Sequence, residues 1–393
     1  MQPSSTQIHQ PQTSEPVPLH DTFLRVRGKR FHYLWLRDNC LSPECHHASS
    51  FQKIYDISDH PVPPRPHAAW IDDDKLVIDW QEEPPHRSSF PLTWLLSQTY
   101  DGDNHTHTLR TPNSQLEGKK TLWNQAQLKA QGFEKLDFQA FSLPTLIEQL
   151  DVLGCVCLRN VPWPALDPFV RSIGPVYELL DLGRYSTVQA AANNHDLSYE
   201  GNALPPHTDL TYIPAPPVVQ LLYCVENQAT GGETVLVDGF RVVQDFCADH
   251  PDLFQILATS DVQFRQFFEQ AGYFTAHKTP IIKLDKAGDI TQLYFSHKNF
   301  GLHLAFEKLE QFYQAYIMFS QYLKNPAYQY WFRLNPGDCL LLQNFRILHG
   351  RSAFDPSSGP RHLKVAYLEW AYFTGRRDFP VLRPFYQVES PIN

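Results

Sequence analysis

The chain has 393 residues and a formal net charge of −9, with 42% hydrophobic and only 19% charged residues. A chain of this size and polarity can bury a large core and leave room for a second, smaller domain. The acidic balance argues against nucleic-acid binding through phosphates, and no apolar run reaches the length needed to span a bilayer.

The first residues, "MQPSSTQIHQPQTSEPVP", carry no basic start followed by an apolar run, so they do not read as a signal peptide. Residues 1–20 are expected to form a disordered polar tail. Seven cysteines, an odd number, do not suggest a disulfide framework. A reducing, cytoplasmic location is the expectation, with neither nucleic acid nor membrane as partner.

Residues 21–98 read as a small β-rich module. "TFLRVRGKRFHYLWLRDNC" alternates over two short runs around Gly28, and "AAWIDDDKLVIDW" reads as a hairpin with an acidic turn. The polar, turn-rich stretch that follows places a linker over 99–130. From 131 to 393 the chain reads as one domain. "SLPTLIEQLDVLG" predicts a short helix with Ser142 as N-cap and Gly154 beyond its end. Strands are predicted in "CVCLRNVP", 217–227, 233–239, 281–295, 337–350 and 361–373. Helices are predicted in "FRVVQDFCADH" and over 306–325, the latter from Phe306, Leu309, Phe312, Tyr313, Tyr316 and Leu323 at helical spacing. Short strands with inserted helices make the fold mainly β, a jelly roll, with the small module at its N-terminus.

The chemistry is concentrated in "ALPPHTDLTYIPAPP", residues 203–217. Its prolines mark the edge of a sheet. In an extended chain, His207 and Asp209 point to one face. An imidazole and a carboxylate converging on a point make half of a metal site, and two histidines with one carboxylate form a facial triad that suits iron(II). The second histidine is sought at the end of a later strand. In "NPGDCLLLQNFRILHGR", His349 stands there beside a glycine that permits close approach. Twelve residues on, Arg361 shares a strand face with Leu363, Val365 and Tyr367. An arginine on an apolar face needs an anionic partner, and its fork fits a carboxylate.

"HTD", "QLLYCVENQATGGETVLVDGF", "NPGDCLLLQNFRILHGR" and "RHLKVAYLEW" closely resemble the γ-butyrobetaine and trimethyllysine hydroxylase branch of the taurine dioxygenase-like oxygenases. The likeness runs from about residue 25 to 375. It implies a double-stranded β-helix (jelly-roll) core that uses Fe(II), 2-oxoglutarate and O2. It makes His207, Asp209 and His349 the iron ligands, Arg361 the holder of the distal carboxylate of 2-oxoglutarate, and Thr234 a second contact to that cosubstrate. Decarboxylation to succinate would accompany oxidation of an unactivated C–H bond of a small molecule. A carboxylate at 209, where related halogenases carry a small residue, favours hydroxylation. A homodimer is also implied.

The resemblance further implies a zinc site in the small module, built from a Cys-x-Cys-x-x-Cys run and a later histidine. Here Cys40 and Cys45 flank Ser42 at the middle position, and His86 matches the histidine. His47 or His46 would supply a fourth ligand. Two readings stay open: a zinc site with one substituted ligand, or a metal-free module with two free thiols.

Relatives that take trimethylammonium substrates enclose them in an aromatic cage. Tyr199 and Tyr367 match cage positions. Leu182 and Ser186 stand where aromatic residues are expected, with Tyr185 adjacent, and Asn193 and Asn194, in a stretch two residues longer than the pattern, match substrate- or cosubstrate-binding groups. The incomplete cage favours another small amine, amino acid or specialised metabolite, with γ-butyrobetaine or trimethyllysine as the alternative. A non-catalytic jelly-roll binding module is the reading from another class, against which the full set of ligands and Arg361 speaks.

Overall fold

The chain divides into two units, Met1–Glu117 with Asp378–Asn393, and Gly118–Arg377. The computed structural model describes residues 15–47, 50, 52–59, 63–101, 120–179, 183–189, 200–302 and 304–386, the side chains of 270 and 381–386 apart.

The first unit is built on a four-stranded antiparallel sheet in the order Glu15–Pro16, Pro66–Asp72, Lys75–Trp80, Arg87–Pro91. The acidic turn of the expected hairpin is present, with Asp73 at φ 51°. A second hairpin pairs Phe23–Val26 with Lys29–His32. Its two-residue loop, Arg27 and Gly28, has φ of 47° and 81°, the left-handed pair that matches strand twist. Leu24, Phe31, Leu36, Leu76, Ile78, Phe90 and Leu95 are fully buried and form the core of this unit. The tail expected over 1–20 does not extend to its expected end: Glu15 and Pro16 pair with Ile71 and Trp70, and Val17 joins the core. Residues 1–14 lie outside the described residues.

The second unit holds two sheets of short strands: β1 (Leu136–Asp137), β2 (Cys155–Arg159), β3 (Ser186–Gln189), β4 (Leu204–His207), β5 (Val219–Asn227), β6 (Thr234–Asp238), β7 (Tyr330–Phe332), β8 (Cys339–Gln343), β9 (Ile347–Arg351) and β10 (Arg361–Leu368). One sheet runs β1-β2-β8-β5-β10-β3 and the other β4-β9-β6-β7. Alternate residues sort to two faces, as strand geometry demands. Cys155, Cys157, Leu222, Cys224, Leu340, Leu342, Leu363, Val365 and Tyr367 of the larger sheet pack with Leu236 and Ile347 of the smaller. The intervening positions Val156, Leu158, Leu221, Tyr223, Leu341, Ala366 and Leu368 pack outward against the helices Leu143–Leu153 and Trp163–Ile173. The helices Gly239–Asp249, Pro251–Thr259 and Phe306–Lys324 cover the smaller sheet through Val235, Val237 and Leu348. This is the expected jelly-roll core, mainly β with inserted helices. Among the described residues no helix is long and apolar enough to cross a membrane.

Other sequence expectations change too: the strand expected over 361–373 ends at Leu368 and a helix, Trp370–Tyr386, follows. The linker over 99–130 does not reach its expected end, because Trp123 is fully buried and a capped helix occupies Gln125–Gln131. The stretch 281–295 is a hairpin, Ile282–Leu284 with Ile290–Leu293, because Asp285 Oδ1 accepts from the amides of Ala287 and Asp289 and turns the chain. The run 337–350 is two strands in different sheets. Arg346 N donates to Gln343 O at 2.9 Å, and this turn carries the chain from one sheet to the other. A further hairpin, Asp261–Phe268 with Tyr273–Pro280, had no expectation attached to it.

Candidate active site

His207 ends β4, which is the edge strand its prolines foretold. In the β4–β9 ladder its register partner is His349, and the two rings lie 4.6 Å apart between centroids. Gly350 permits this pairing: a Cβ there would sit 2.4 Å from the carbonyl oxygen of Leu204. His207 Nδ1 lies 2.9 Å from the carbonyl of Pro205. As the donor in that contact it leaves the Nε2 lone pair facing inward. Burial, with Lys298 and His349 adding to it, lowers the His207 pKa to about 4, so the ring is neutral, the form in which it binds a metal.

Asp209 lies beyond the end of β4, so it reaches the site by another route than strand alternation. The chain bends after it, with Leu210 at φ 56°. Asn344, fully buried in the turn between β8 and β9, accepts from Asp209 N and donates to Asp209 O, both at 2.8 Å. The carboxylate then sits with Oδ1 3.3 Å from His207 Nε2 and Oδ2 3.5 Å from His349 Nε2. Burial raises the Asp209 pKa, but the neighbouring His349 and the contacts with both histidines outweigh it and hold the carboxyl well below its usual range. The three ligand atoms lie within 4.8 Å of one another. Two imidazoles and one carboxylate, converging at these distances, form the donor set that suits a non-haem iron(II) centre. Gln220 and Tyr367, neighbours on β5 and β10, also reach Asp209 Oδ2, at 2.5 and 2.9 Å.

Arg361 begins β10 and is 5% exposed. Among the described residues no carboxylate pairs with it, and its Nε has no hydrogen-bond partner. Its guanidinium lies 5.3 Å from the ring centroid of Phe354. Gly232 leaves room for it, since a Cβ there would stand 2.9 Å from Arg361 Nε. A buried cation without an anion is costly, and a bound carboxylate would relieve it. Burial also lowers its pKa. Thr234 is buried in β6 and shares the inward parity of Leu236. Arg351, its register partner, donates instead to the carbonyls of Asn202 and Glu200.

The remaining expectations divide. Tyr367 faces between the sheets, but its hydroxyl is engaged by Asp209. Tyr185 does not face that space. Ser186 pairs with the inward-facing Val365, so Tyr185 falls on the opposite parity, packs with the outer cluster and donates to Asp167 Oδ1 at 3.0 Å. The structure therefore does not bring Tyr185, expected as a substrate contact, to the side of the sheet that holds the triad. Tyr199, Asn193, Asn194 and Leu182 lie outside the described residues. Sequence reasoning missed Gln220 and Asn344, although each is a buried amide beside an apolar run.

In the first unit, Cys40 and Cys45 place their sulfurs 3.2 and 3.6 Å from His86 Nε2. Ser42 Oγ is buried beside both thiols. Arg37, paired with Glu82, donates to Cys45 Sγ at 3.2 Å. The hydrogen bond with Cys40, aided by His86, Ser42 and Arg37, lowers the Cys45 pKa to about 3 and favours the thiolate a metal needs. His47 stands apart from this cluster: its Nδ1 faces Ser50 Oγ at 2.9 Å, in an exposed loop.

The family model described as "Taurine catabolism dioxygenase TauD, TfdA family" matches residues 120–367. The chain is 29% identical over 370 residues to gamma-butyrobetaine dioxygenase of Pseudomonas sp. (strain AK-1), covering 88% of this chain and 90% of that protein. It is 26% identical over 358 residues to mitochondrial trimethyllysine dioxygenase of Rattus norvegicus, covering 86% and 80%. A solved structure of asparagine oxygenase in complex with Fe(II), 2S,3S-3-hydroxyasparagine and succinate aligns with a TM-score of 0.48 at 15% identity, over 58% of this chain and 78% of that one. With the family model spanning well over half of its length, the chain belongs to the taurine catabolism dioxygenase TauD, TfdA family and is an iron(II)- and 2-oxoglutarate-dependent dioxygenase.

Proposed function

We propose that this enzyme hydroxylates an unactivated C–H bond of a small amine, amino acid or specialised metabolite. In this reading His207, Asp209 and His349 hold the iron, and Arg361 and Thr234 hold the distal end of 2-oxoglutarate. The observation that carries it is the cross-strand pair His207 and His349 with an Asp209 oxygen within 3.5 Å of each. Iron(II), when bound, supplies the centre at which 2-oxoglutarate is decarboxylated and O2 reduced. The chain's own part is to hold two imidazoles and a carboxylate in place, and to aim a desolvated guanidinium at the far carboxylate of the cosubstrate.

The choice of substrate follows from the cage. Among the described residues expected at the cage, Ser186 is small and Tyr185 is turned outward, which leaves the ring of Tyr367, its hydroxyl held by Asp209, as the aromatic surface for a trimethylammonium group. Two relatives named for γ-butyrobetaine and trimethyllysine keep those compounds as the second reading. The test has two stages. Without O2, Fe(II) and 2-oxoglutarate should give a weak visible charge-transfer band. Arg361→Ala should raise the 2-oxoglutarate needed to half-saturate it by about thirtyfold or more, since truncating one partner of a buried charge pair costs about 2–5 kcal/mol. No band in the wild-type protein would favour the non-catalytic binding module. Product masses are then screened across γ-butyrobetaine, trimethyllysine and unmethylated amino acids. Hydroxylation of only the trimethylated compounds sinks the first substrate reading.

Cys40, Cys45 and His86 are read as three ligands of a structural zinc ion, with Ser42 at the position of the fourth. The measurement is zinc content: about one ion per chain, lost in Cys45→Ser; a zinc-free native protein sinks this reading. A cytoplasmic homodimer completes the proposal. The resemblance supports the dimer, and the free thiols of all seven cysteines support the location. Sedimentation and cell fractionation test them.

A further inference from the structure

We propose that Gln220 and Tyr367 are positioning residues that keep Asp209 a one-oxygen ligand and so hold a coordination place open for O2. The inference rests on the reading of His207, Asp209 and His349 as iron ligands.

Gln220 and Tyr367 are register partners on β5 and β10. Both side chains point into the space between the sheets, and the residues are 1% and 6% exposed. Gln220 Nε2 donates to Asp209 Oδ2 at 2.5 Å, and Tyr367 Oη donates to the same atom at 2.9 Å. A carboxylate oxygen offers two lone-pair directions. Both donors converge on Oδ2, which also lies 3.5 Å from His349 Nε2, with Gln220 Nε2 3.3 Å from that same nitrogen; Oδ1, 3.3 Å from His207 Nε2, carries neither donor and is left for the metal. The amide cannot usefully be reversed, because its oxygen would then face Oδ2 with no proton between them. As it stands, Gln220 Oε1 is buried without a hydrogen-bond partner, a cost the fold tolerates at this one contact. Asn344 fixes the other degree of freedom, by clamping the main chain of Asp209 on both sides.

The count of coordination places gives the arrangement its purpose. A six-coordinate iron with three protein ligands keeps three places. The keto acid end of 2-oxoglutarate would take two of them and leave the third for O2. If Asp209 bound through both oxygens, it would occupy the third. Two hydrogen-bond donors on one oxygen prevent that without adding a ligand.

The experiment uses nitric oxide as a probe of the third place. Wild-type protein, Tyr367→Phe, Gln220→Leu and the double variant are loaded anaerobically with Fe(II) and 2-oxoglutarate, then titrated with nitric oxide and followed by electron paramagnetic resonance. Each single variant should bind nitric oxide about tenfold more weakly, and the double variant more weakly still, in line with the 10- to 100-fold typical of outer partners of metal ligands. The charge-transfer band of the 2-oxoglutarate complex should shift in the same order. A purely structural role would lower the melting temperature and leave the nitric oxide affinity of the folded fraction alone; that result overturns the proposal. Tyr367→Phe removes a single oxygen and keeps the ring, so it decides the matter even if the double variant does not fold. A wild-type protein without a charge-transfer band overturns the iron-site reading itself, whereas a band that is normal in every variant overturns only the roles of Gln220 and Tyr367.

Discussion

His349→Ala abolishes the visible band of the anaerobic Fe(II)–2-oxoglutarate complex and weakens iron binding by at least about a hundredfold. Loss of an outer partner of a metal ligand already costs 10- to 100-fold, and here a ligand itself is lost. The site has no spare donor: among the described residues the convergent set is His207, Asp209 and His349. Nor should the fold suffer much. His349 Nδ1 is buried without a partner, so truncation removes an ill-satisfied polar group along with the ring. Circular dichroism and melting of the metal-free variant should stay close to wild type, while titration with Fe(II) or Co(II) shows the loss. A variant that keeps the band and near-native metal affinity removes His349 from the iron site.

Arg346→Met destabilises the second unit by about 3–5 kcal/mol, the range for breaking one side of a buried ion pair. The side chains of Arg346 and Asp238 are 2% and 0% exposed, with Nη2 and Oδ2 2.9 Å apart. The guanidinium also donates to the carbonyls of Thr121 and Val152. Asp238 in turn accepts from Phe240 N at the start of the helix Gly239–Asp249 and from Trp123 N. Removing the cation strands an ionised carboxylate in the core and leaves those carbonyls without donors. The double change Arg346→Met with Asp238→Asn should recover part of the loss, because the buried charge goes with it. Calorimetry decides: a melting point lowered by less than about 2 °C in the single variant would contradict the account.

The legible part of the site was the part carried by side-chain type and strand end. His207 ends a strand whose prolines can be read directly, His349 was expected at a strand end but sits mid-strand in β9 beside the legible Gly350, and Arg361 is conspicuous on an apolar face. The reason given for Asp209 was incomplete. Alternation along an extended strand suffices for a pair two apart, but β4 stops at His207, and Asp209 is placed by a bend and by Asn344, 135 residues away in sequence. Long-range hydrogen bonds of this kind leave no periodic trace. The run "GDCLLLQNFRILHG" hid its break for a related reason: Asn344 and Arg346 are polar residues inside an apolar stretch, and only their distant partners, Asp209 and Asp238, make them a turn. Gln220 was hidden in the same way within "VVQLLYC". In the small module, Cys40, Cys45 and His86 were readable from the resemblance, whereas the place of His47 depended on loop conformation.

The turn between β8 and β9 does two jobs with adjacent residues: it carries the chain across from one sheet to the other, and it leads directly into the strand of His349. Mass action then ties cofactor loading to the folding equilibrium. Whatever ferrous ion binds the native chain and not the unfolded one adds RT ln(1 + [L]/Kd) to native stability, about 2.7 kcal/mol at a hundredfold excess over Kd. Iron supply in the cell thereby becomes a determinant of how long this enzyme survives proteolysis as well as of how fast it turns over.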